Sequence, residues 1–154
     1  MDPDQVRALL PWRQPFQMID QLIECVPHER IATLKLVTVN DTMGEARALA
    51  GGVASGRGPV LPPAMILEGM SQSAALLFQI SYGALAKESI PMLGDMKATY
   101  HDVAHPGEAI VFAVRAVKMT STAGLFEGAA RVGERLIAQA GFAMSVSRRP
   151  DGTE

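Results

Sequence analysis

The chain has 154 residues, with 14 Lys and Arg against 16 Asp and Glu and a formal net charge of −2. This length fits one compact domain with a sizeable core, to which we assign residues 1–148, with residues 149–154 as a disordered tail. The sequence has no basic stripe for nucleic acid, and it has neither a long uninterrupted apolar run nor a Lys- and Arg-rich amphipathic segment for a membrane.

The N-terminal composition and the cysteine content predict a cytoplasmic protein. The first residues include Asp2, Pro3, Arg7 and Arg13, which leaves no room for the apolar core of a signal peptide. Cys25 is the only cysteine, so it cannot form an internal disulfide. Its strand-like surroundings favour a buried, reduced thiol over a nucleophile.

The first elements in the chain are predicted to be a short helix and a β-hairpin. Asp2 before Pro3 is typical of a helix start, with a helix over residues 3–10. A strand is predicted from about Met18 to Val26. After a turn at His28, the alternation in HERIATLKLVTV predicts a second strand that pairs with the first.

The segment from Asn40 to Gly58 is rich in Gly, Ala and Ser and ends in GGVASGRG. A glycine-rich run before a helix is also found in phosphate-binding loops, but the Lys and Ser/Thr that complete a nucleotide loop are absent here. We therefore interpret the segment as a flexible loop.

The central element is a helix predicted from Pro63 or Ala64 to about Leu85. Apolar residues occupy nearly all of its faces, so it should be surrounded by other elements. Glu68, Ser71 and Gln72 lie three and four residues apart and share one face. Buried polar groups need partners, so this face should meet a cavity, a subunit or a substrate.

The remainder of the chain is predicted to be strands. Their approximate segments are residues 92–103, 109–120, 124–132 and 135–147, with turns at 104–107 and 133–134. The order of strands, one long buried helix and more strands indicates an α+β domain in which an antiparallel sheet wraps round the helix.

Three motifs resemble the β-hydroxyacyl-acyl carrier protein dehydratases of the hot-dog fold: LPWRQPFQMID (10–20), PVLPPAMILEGMSQ (59–72) and KATYHDVAHPGE (97–108). The resemblance implies a dimer with sheets joined edge to edge, or three such dimers together. It also implies active sites at the dimer interface, each with a histidine from one subunit and a carboxylate from the central helix of the other. We predict neither a cofactor nor a metal.

In this resemblance Glu68 aligns with the catalytic carboxylate. Pro59, Val60 and Gln72 match the conserved pattern of the family motif, and with Met65 we predict them to be substrate-binding.

Two positions depart from the family pattern. The histidine of its Gly-His-Phe-Pro segment corresponds to Val53 or Ala54, and the glycine after its second proline corresponds to Pro63, so we assign these three residues to the substrate site as well. Dehydration needs a base for the α-proton and a donor for the thioester carbonyl, and proline has no N–H. Removal of a general base costs about 10²- to 10⁴-fold in rate and of one oxyanion donor about 10²- to 10³-fold.

His101 is our candidate for a substitute base, because its predicted strand runs near the central helix in the family. His28 and His105 lie in predicted turns, where a solvated role is expected. Arg13 and Arg57 are expected to have packing or surface roles, although Arg57 could meet an acidic carrier protein.

Three functional hypotheses follow. The chain is a dehydratase for 3-hydroxyacyl thioesters of acyl carrier protein with a rearranged site, serving fatty-acid, polyene or polyketide synthesis. Alternatively it is a catalytically incomplete subunit that forms a heterodimer with a histidine-bearing dehydratase homologue, or a thioesterase that uses Glu68. The expected partner is acyl carrier protein or another acyl thioester.

Overall fold

The computed structural model describes residues 3–45, 58–86 and 89–148. Its helices are α1 (Pro3–Leu9) and α2 (Pro63–Tyr82), with a 3-10 turn at Val39–Asp41. The strands are β1 (Gln21–Val26), β2 (Arg30–Leu36), β3 (Met43–Glu45), β4 (Pro59–Val60), β5 (Ser89–Tyr100), β6 (Ala109–Met119), β7 (Ala123–Val132) and β8 (Arg135–Arg148).

Six strands form one antiparallel sheet in the order β1-β2-β6-β7-β8-β5, and β3 pairs with β4 separately. The predicted β1-β2 hairpin is confirmed, as is the β6-β7-β8 meander. After α2 the chain crosses to the far edge of the sheet, where β5 pairs with β8. Because α2 contacts β2, β5, β6, β7 and β8, the predicted sheet round a central helix is confirmed.

The core lies between α2 and the inner face of the sheet. On β6 the alternate residues Phe112 and Val114 are buried, while Ala113 and Arg115 between them are exposed. This is the period of two expected for a strand with one buried face. Ile66 and Met70 of α2 pack in the same core with almost no exposed surface.

A buried lysine on β2 is paired with two carboxylates. Lys35 is 3% exposed, and its Nζ lies 3.1 Å from Asp41 and 3.8 Å from Asp20. Burial raises the pKa of Asp41, but hydrogen bonds from Thr38 and Lys35 outweigh it and lower that pKa overall. The pairing makes a buried ammonium tolerable and ties the N-terminal segment to β2.

The structure differs from the predicted bounds of several elements, and β5 runs from Ser89 to Tyr100 where residues 92–103 were predicted. The first strand begins at Gln21 because the Met18 N–H is used by a side chain of α2. The helix ends at Tyr82, since Gly83 adopts φ +97°, a conformation that favours glycine. Part of the predicted Asn40–Gly58 loop forms β3, and residues 46–57 of it lie outside the described residues, as does the tail 149–154.

Among the described residues, no helix is long and apolar enough to span a membrane.

Candidate functional site

The segment that leads into α2 is fixed to the turn between β5 and β6. The Leu61 N–H donates to the Ala104 carbonyl at 2.9 Å, and Nδ1 of His105 lies 3.1 Å from the Pro59 carbonyl. Val60 is 4% exposed, so its side chain joins the core, whereas Pro59 lies at the surface. Two of the three motifs that carry the resemblance therefore meet at the N-terminal end of α2.

Arg135 at the start of β8 holds that turn in place. Its guanidinium donates to the Asp102 carboxylate and the Val103 carbonyl, both at 2.7 Å, and pairs with Glu108. The hydrogen bond from Arg135 lowers the pKa of Asp102, and the same bond raises the pKa of Arg135. Glu108 in turn accepts from the His105 N–H at 2.8 Å.

Glu68 and Gln72 lie one turn apart on α2 and contact each other. Nε2 of Gln72 donates to Glu68 Oε1 at 2.8 Å and to the Phe16 carbonyl at 2.6 Å, while its Oε1 accepts from the Met18 N–H at 2.9 Å. Gln72 has no exposed surface. Its orientation is therefore fixed by the N-terminal segment, and it fixes in turn one oxygen of the half-buried Glu68.

Within the described parts of the chain, Glu68 has no charged partner. Among the described residues, no Lys, Arg or His lies within the 4.0 Å ion-pair distance of its carboxylate. The structure thus brings together the predicted pair Glu68 and Gln72, but it does not bring a histidine of the same chain to them.

The first turn of α2 opens with two consecutive prolines, Pro62 at the N-cap and Pro63 at the first helical position. Neither has an N–H. The hydroxyl of Tyr100, at the end of β5, donates to the Pro63 carbonyl at 3.1 Å. Burial raises the pKa of Tyr100, so its phenol keeps its proton to higher pH.

The predicted base His101 follows Tyr100 directly and faces the other way. Its ring is exposed and lies 3.2 Å from Gln139 Oε1, and Gln139 lines a surface cavity on the outer face of the sheet. Successive side chains of a strand point to opposite faces. With Tyr100 against α2, His101 lies on the far side of the sheet from Glu68 of the same chain, and its catalytic role stays a prediction.

His28 lies at the opposite end of α2 from Glu68. Its backbone N–H donates to Ser81 Oγ at 2.8 Å, and its ring packs edge-on against Tyr82. Ser81 lies thirteen positions after Glu68 on the helix, which corresponds to roughly 20 Å of helix. Of the three histidines, His105 is the one whose ring contacts the segment leading into α2.

Of the remaining predicted substrate-binding residues, the structure describes only Met65. Met65 is half-buried and packs against the core from the first turn of α2. Val53 and Ala54, one of which is predicted to take the place of the family's histidine, lie outside the described residues. No cluster of three or more metal-binding side chains is present in the described part of the chain.

The outer face of the sheet carries a cavity of about 700 Å³. Small residues such as Ala32 and Ala129 form its floor, and charged residues such as Arg115 and Glu127 border it. It lies across the sheet from α2 and has none of the predicted site residues in its lining. The candidate site is therefore the N-terminal half of α2 with the segments that contact it, and not the cavity on the outer face of the sheet.

Sequence reasoning missed Tyr100 and Arg135. The alternation of the strand that ends at Tyr100 places Tyr100 and His101 on opposite faces, but it does not show which of the two faces α2. Arg135 had no such signal, since its partners lie 27 to 33 residues away in the chain.

No protein-family model matches the chain. Two curated relatives are similar over nearly their whole length. The chain is 31% identical to a 3-hydroxyacyl-acyl-carrier-protein dehydratase FabZ of Rhizorhabdus wittichii, over 97% of this chain and 92% of the relative. It is 28% identical to the protein of the same name from Shewanella woodyi, over 91% and 88%.

Solved structures of low sequence identity share the fold. The dehydratase heterocomplex ApeI:P from Xenorhabdus doucetiae matches with a TM-score of 0.67 at 16% identity, covering 97% of this chain and 93% of that one. Zebra fish thioesterase superfamily member 2 matches with a TM-score of 0.65 at 16% identity, covering 94% and 95%. These likenesses confirm the hot-dog fold.

Proposed function

The chain belongs to the 3-hydroxyacyl-acyl-carrier-protein dehydratase family, and from this premise we propose that it acts on 3-hydroxyacyl thioesters of acyl carrier protein and supplies Glu68 for their dehydration. The observation that carries the proposal is the fixed Glu68–Gln72 pair on α2. Gln72 is completely buried and anchored to the N-terminal segment, so it holds the carboxyl group in one orientation.

In the proposed reaction a base removes the proton from C2 of the acyl chain. The electron pair of the broken C–H bond forms the C2=C3 double bond, and the C3–O bond breaks. The carboxyl group of Glu68 gives its proton to the departing hydroxyl, which leaves as water. The proton held by the base returns to Glu68 through solvent, which restores the site.

We propose that the base is a histidine of a second, complete dehydratase chain. Two observations support this assembly: His28 lies at the far end of α2, and His101 faces away from it. The resemblance adds that the family's histidine corresponds to Val53 or Ala54 in this chain. A heterocomplex of dehydratase chains is named among proteins of the same fold. In such a pair this chain gives Glu68 and the partner gives the base.

A homomeric dehydratase is the second candidate. The observation in its favour is the contact between Nδ1 of His105 and the Pro59 carbonyl. If Nδ1 carries the proton in that contact, the Nε2 lone pair is left to accept another.

The test combines this chain with a family dehydratase whose helix carboxylate has been changed to the amide. The altered dehydratase keeps its histidine but cannot supply an acid. Enoyl product from the mixture, and from neither protein alone, is the expected result. It should fall by about 10²-fold or more when this chain carries Glu68→Gln, while His28→Asn, at the far end of α2, should leave it unchanged.

The same assay separates the alternatives. Enoyl product from this chain alone, lost in Glu68→Gln and in His105→Asn, would favour the homomeric enzyme. Release of free thiol without enoyl product would favour the thioesterase. If acyl thioesters neither bind nor react in any combination, the proposed function is wrong.

A further inference from the structure

The start of α2 has fewer backbone donors for a thioester carbonyl than most helices have. The N-terminal N–H groups of a helix are a common binding site for negatively charged oxygen. In this chain Pro62 and Pro63 remove two of them in succession. A further donor at this end of the helix would therefore favour the proposed reaction.

Charge develops on the thioester carbonyl oxygen as the C2 proton is removed. A donor placed 2.7–3.1 Å from that oxygen stabilises the enolate-like state, and one such donor is worth about 10²- to 10³-fold in rate. The only hydroxyl that an observed hydrogen bond links to the first residue of α2, within the described residues, is that of Tyr100, 3.1 Å from the Pro63 carbonyl.

We propose that the Tyr100 hydroxyl is the hydrogen-bond donor to the thioester carbonyl, in place of the N–H that Pro63 lacks. The inference rests on the proposed function of this site. Tyr100 is at the end of the edge strand β5, faces α2 and is half-buried, so its phenol borders both the core and the surface.

The present hydrogen bond of Tyr100 does not prevent this role. The Pro63 carbonyl begins an α-helix and accepts from the N–H four residues later, so it keeps a partner when the phenol turns to a substrate. Burial raises the pKa of Tyr100, which keeps the donor protonated. The phenol therefore exchanges one acceptor for another and loses no hydrogen bond.

The test measures the carbonyl of a bound thioester directly. A saturated acyl-pantetheine labelled with ¹³C at the thioester carbonyl binds without reacting, and isotope-edited infrared spectroscopy reports its stretching frequency. We expect a lower frequency in the wild type than in Tyr100→Phe, since the hydrogen bond weakens the C=O bond. In the complete assay, Tyr100→Phe should lower kcat by about 10²- to 10³-fold with little change in KM.

Tyr82→Phe is the matched control. Tyr82 lies at the other end of α2, where its hydroxyl donates to the Met119 carbonyl at 3.2 Å, so its removal should leave the frequency unchanged. The chain has two tyrosines, and in the Tyr82→Phe background 3-fluorotyrosine therefore labels Tyr100 alone. The more acidic phenol should lower the frequency further, which tests the role without removing the ring.

The outcomes distinguish this inference from the proposed function. If the labelled thioester binds and its frequency is the same in wild type, Tyr100→Phe and the fluorinated protein, Tyr100 is not the donor although the proposed function stands. If the thioester does not bind the wild type, both are wrong. A carbonyl stretching frequency that is highest in Tyr100→Phe and lowest in the fluorinated protein supports the inference.

Discussion

Gln72 makes three hydrogen bonds from a position without exposed surface, two of them to the backbone of the N-terminal segment. Removal of a buried partner leaves the other groups desolvated and unsatisfied, which costs more than the bond itself contributed. This residue therefore links folding of the segment that contains Phe16 and Met18 to the orientation of Glu68.

Gln72→Met should destabilise the protein by about 1–3 kcal/mol, because the Met18 N–H and the Phe16 carbonyl lose their partner. Gln79→Met is the control: Gln79 is also buried on α2 and bonds the Leu9 carbonyl at 2.7 Å, but it lies away from Glu68. Urea unfolding should register a loss in both variants. Only Gln72→Met should reduce the dehydration rate of the folded protein. Equal rates in the two variants would contradict a role of Gln72 in orienting Glu68.

The Asp102–Arg135 pair predicts an acid-dependent contribution to stability. The hydrogen bond from Arg135 lowers the pKa of Asp102 in the folded protein. The Asp102 carboxylate thus binds a proton less readily in the folded state than in the unfolded state. The stabilisation is present above the unfolded pKa and is lost as the pH falls through the lower, folded pKa.

Asp102→Asn should therefore reduce the free energy of unfolding at about pH 7 and have little further effect at about pH 2. The loss should be at most about 1 kcal/mol, since both side chains are more than a third exposed. Urea unfolding of the wild type and the variant at the two pH values measures it. A difference that does not depend on pH would mean that the carboxylate charge is not the cause.

For individual residues, the candidate carboxylate Glu68 and the missing N–H of Pro63 could be identified from the sequence, because both belong to one contiguous motif. The bond between Tyr100 and Pro63 was not, since it spans 37 residues and depends on which face of β5 meets α2. The side on which His101 lies depends on the same fact.

Among the elements, α2 packs against the sheet at two glycines that leave no room for a side chain. A Cβ at Gly69 would lie 2.2 Å from the Phe112 ring, and a Cβ at Gly128 on β7 would lie 2.9 Å from the sulfur of Met70. Both distances are shorter than real Cβ contacts. The apolar pattern predicted that α2 would be surrounded, but not how closely, because that depends on which strand residues face it.

Gly69→Ala should destabilise the protein by about 1–3 kcal/mol, the usual cost of overpacking, reduced by the gain of up to about 1 kcal/mol in helix propensity. Gly141→Ala on β8 is the control, since a Cβ there meets nothing within 4 Å. Chemical denaturation of both variants compares them. Equal stability of Gly69→Ala and wild type would mean that the Phe112 ring moves aside at little cost.

For the molecule as a whole, the order of strands, buried helix and strands was predictable because each element has its own period of apolar residues. The pairing of β5 with β8 at the far edge is a long-range contact without a local signal. The same holds for the β3-β4 pair, which joins a segment inside the predicted loop to the residues that directly follow it. Local sequence patterns were thus enough to predict the helices and strands. Which strands pair with each other was known only from the structure.

Two features favour an assembly of two chains: within the described residues, no histidine of the same chain lies beside Glu68, and the edge of β5 is exposed. β5 is a twelve-residue edge strand, and Ile90, Met92 and Leu93 on it are 40%, 52% and 47% exposed. Unpaired backbone groups beside apolar side chains favour pairing with another strand. We propose that β5 joins a second hot-dog chain edge to edge, which would bring the partner's site residues close to α2.

Met92→Lys with Leu93→Lys should therefore shift the protein from dimer, or a larger assembly of dimers, to monomer, because two ammonium groups would meet their counterparts across the edge. Light scattering after size-exclusion chromatography measures the mass. Leu125→Lys is the control, since Leu125 is 50% exposed on β7, an interior strand of the sheet. An unchanged mass in the double variant would mean that the assembly uses another surface. With an unchanged fold by circular dichroism, the double variant should also give no enoyl product when it is mixed with the altered family dehydratase, because a single chain offers Glu68 without a histidine beside it.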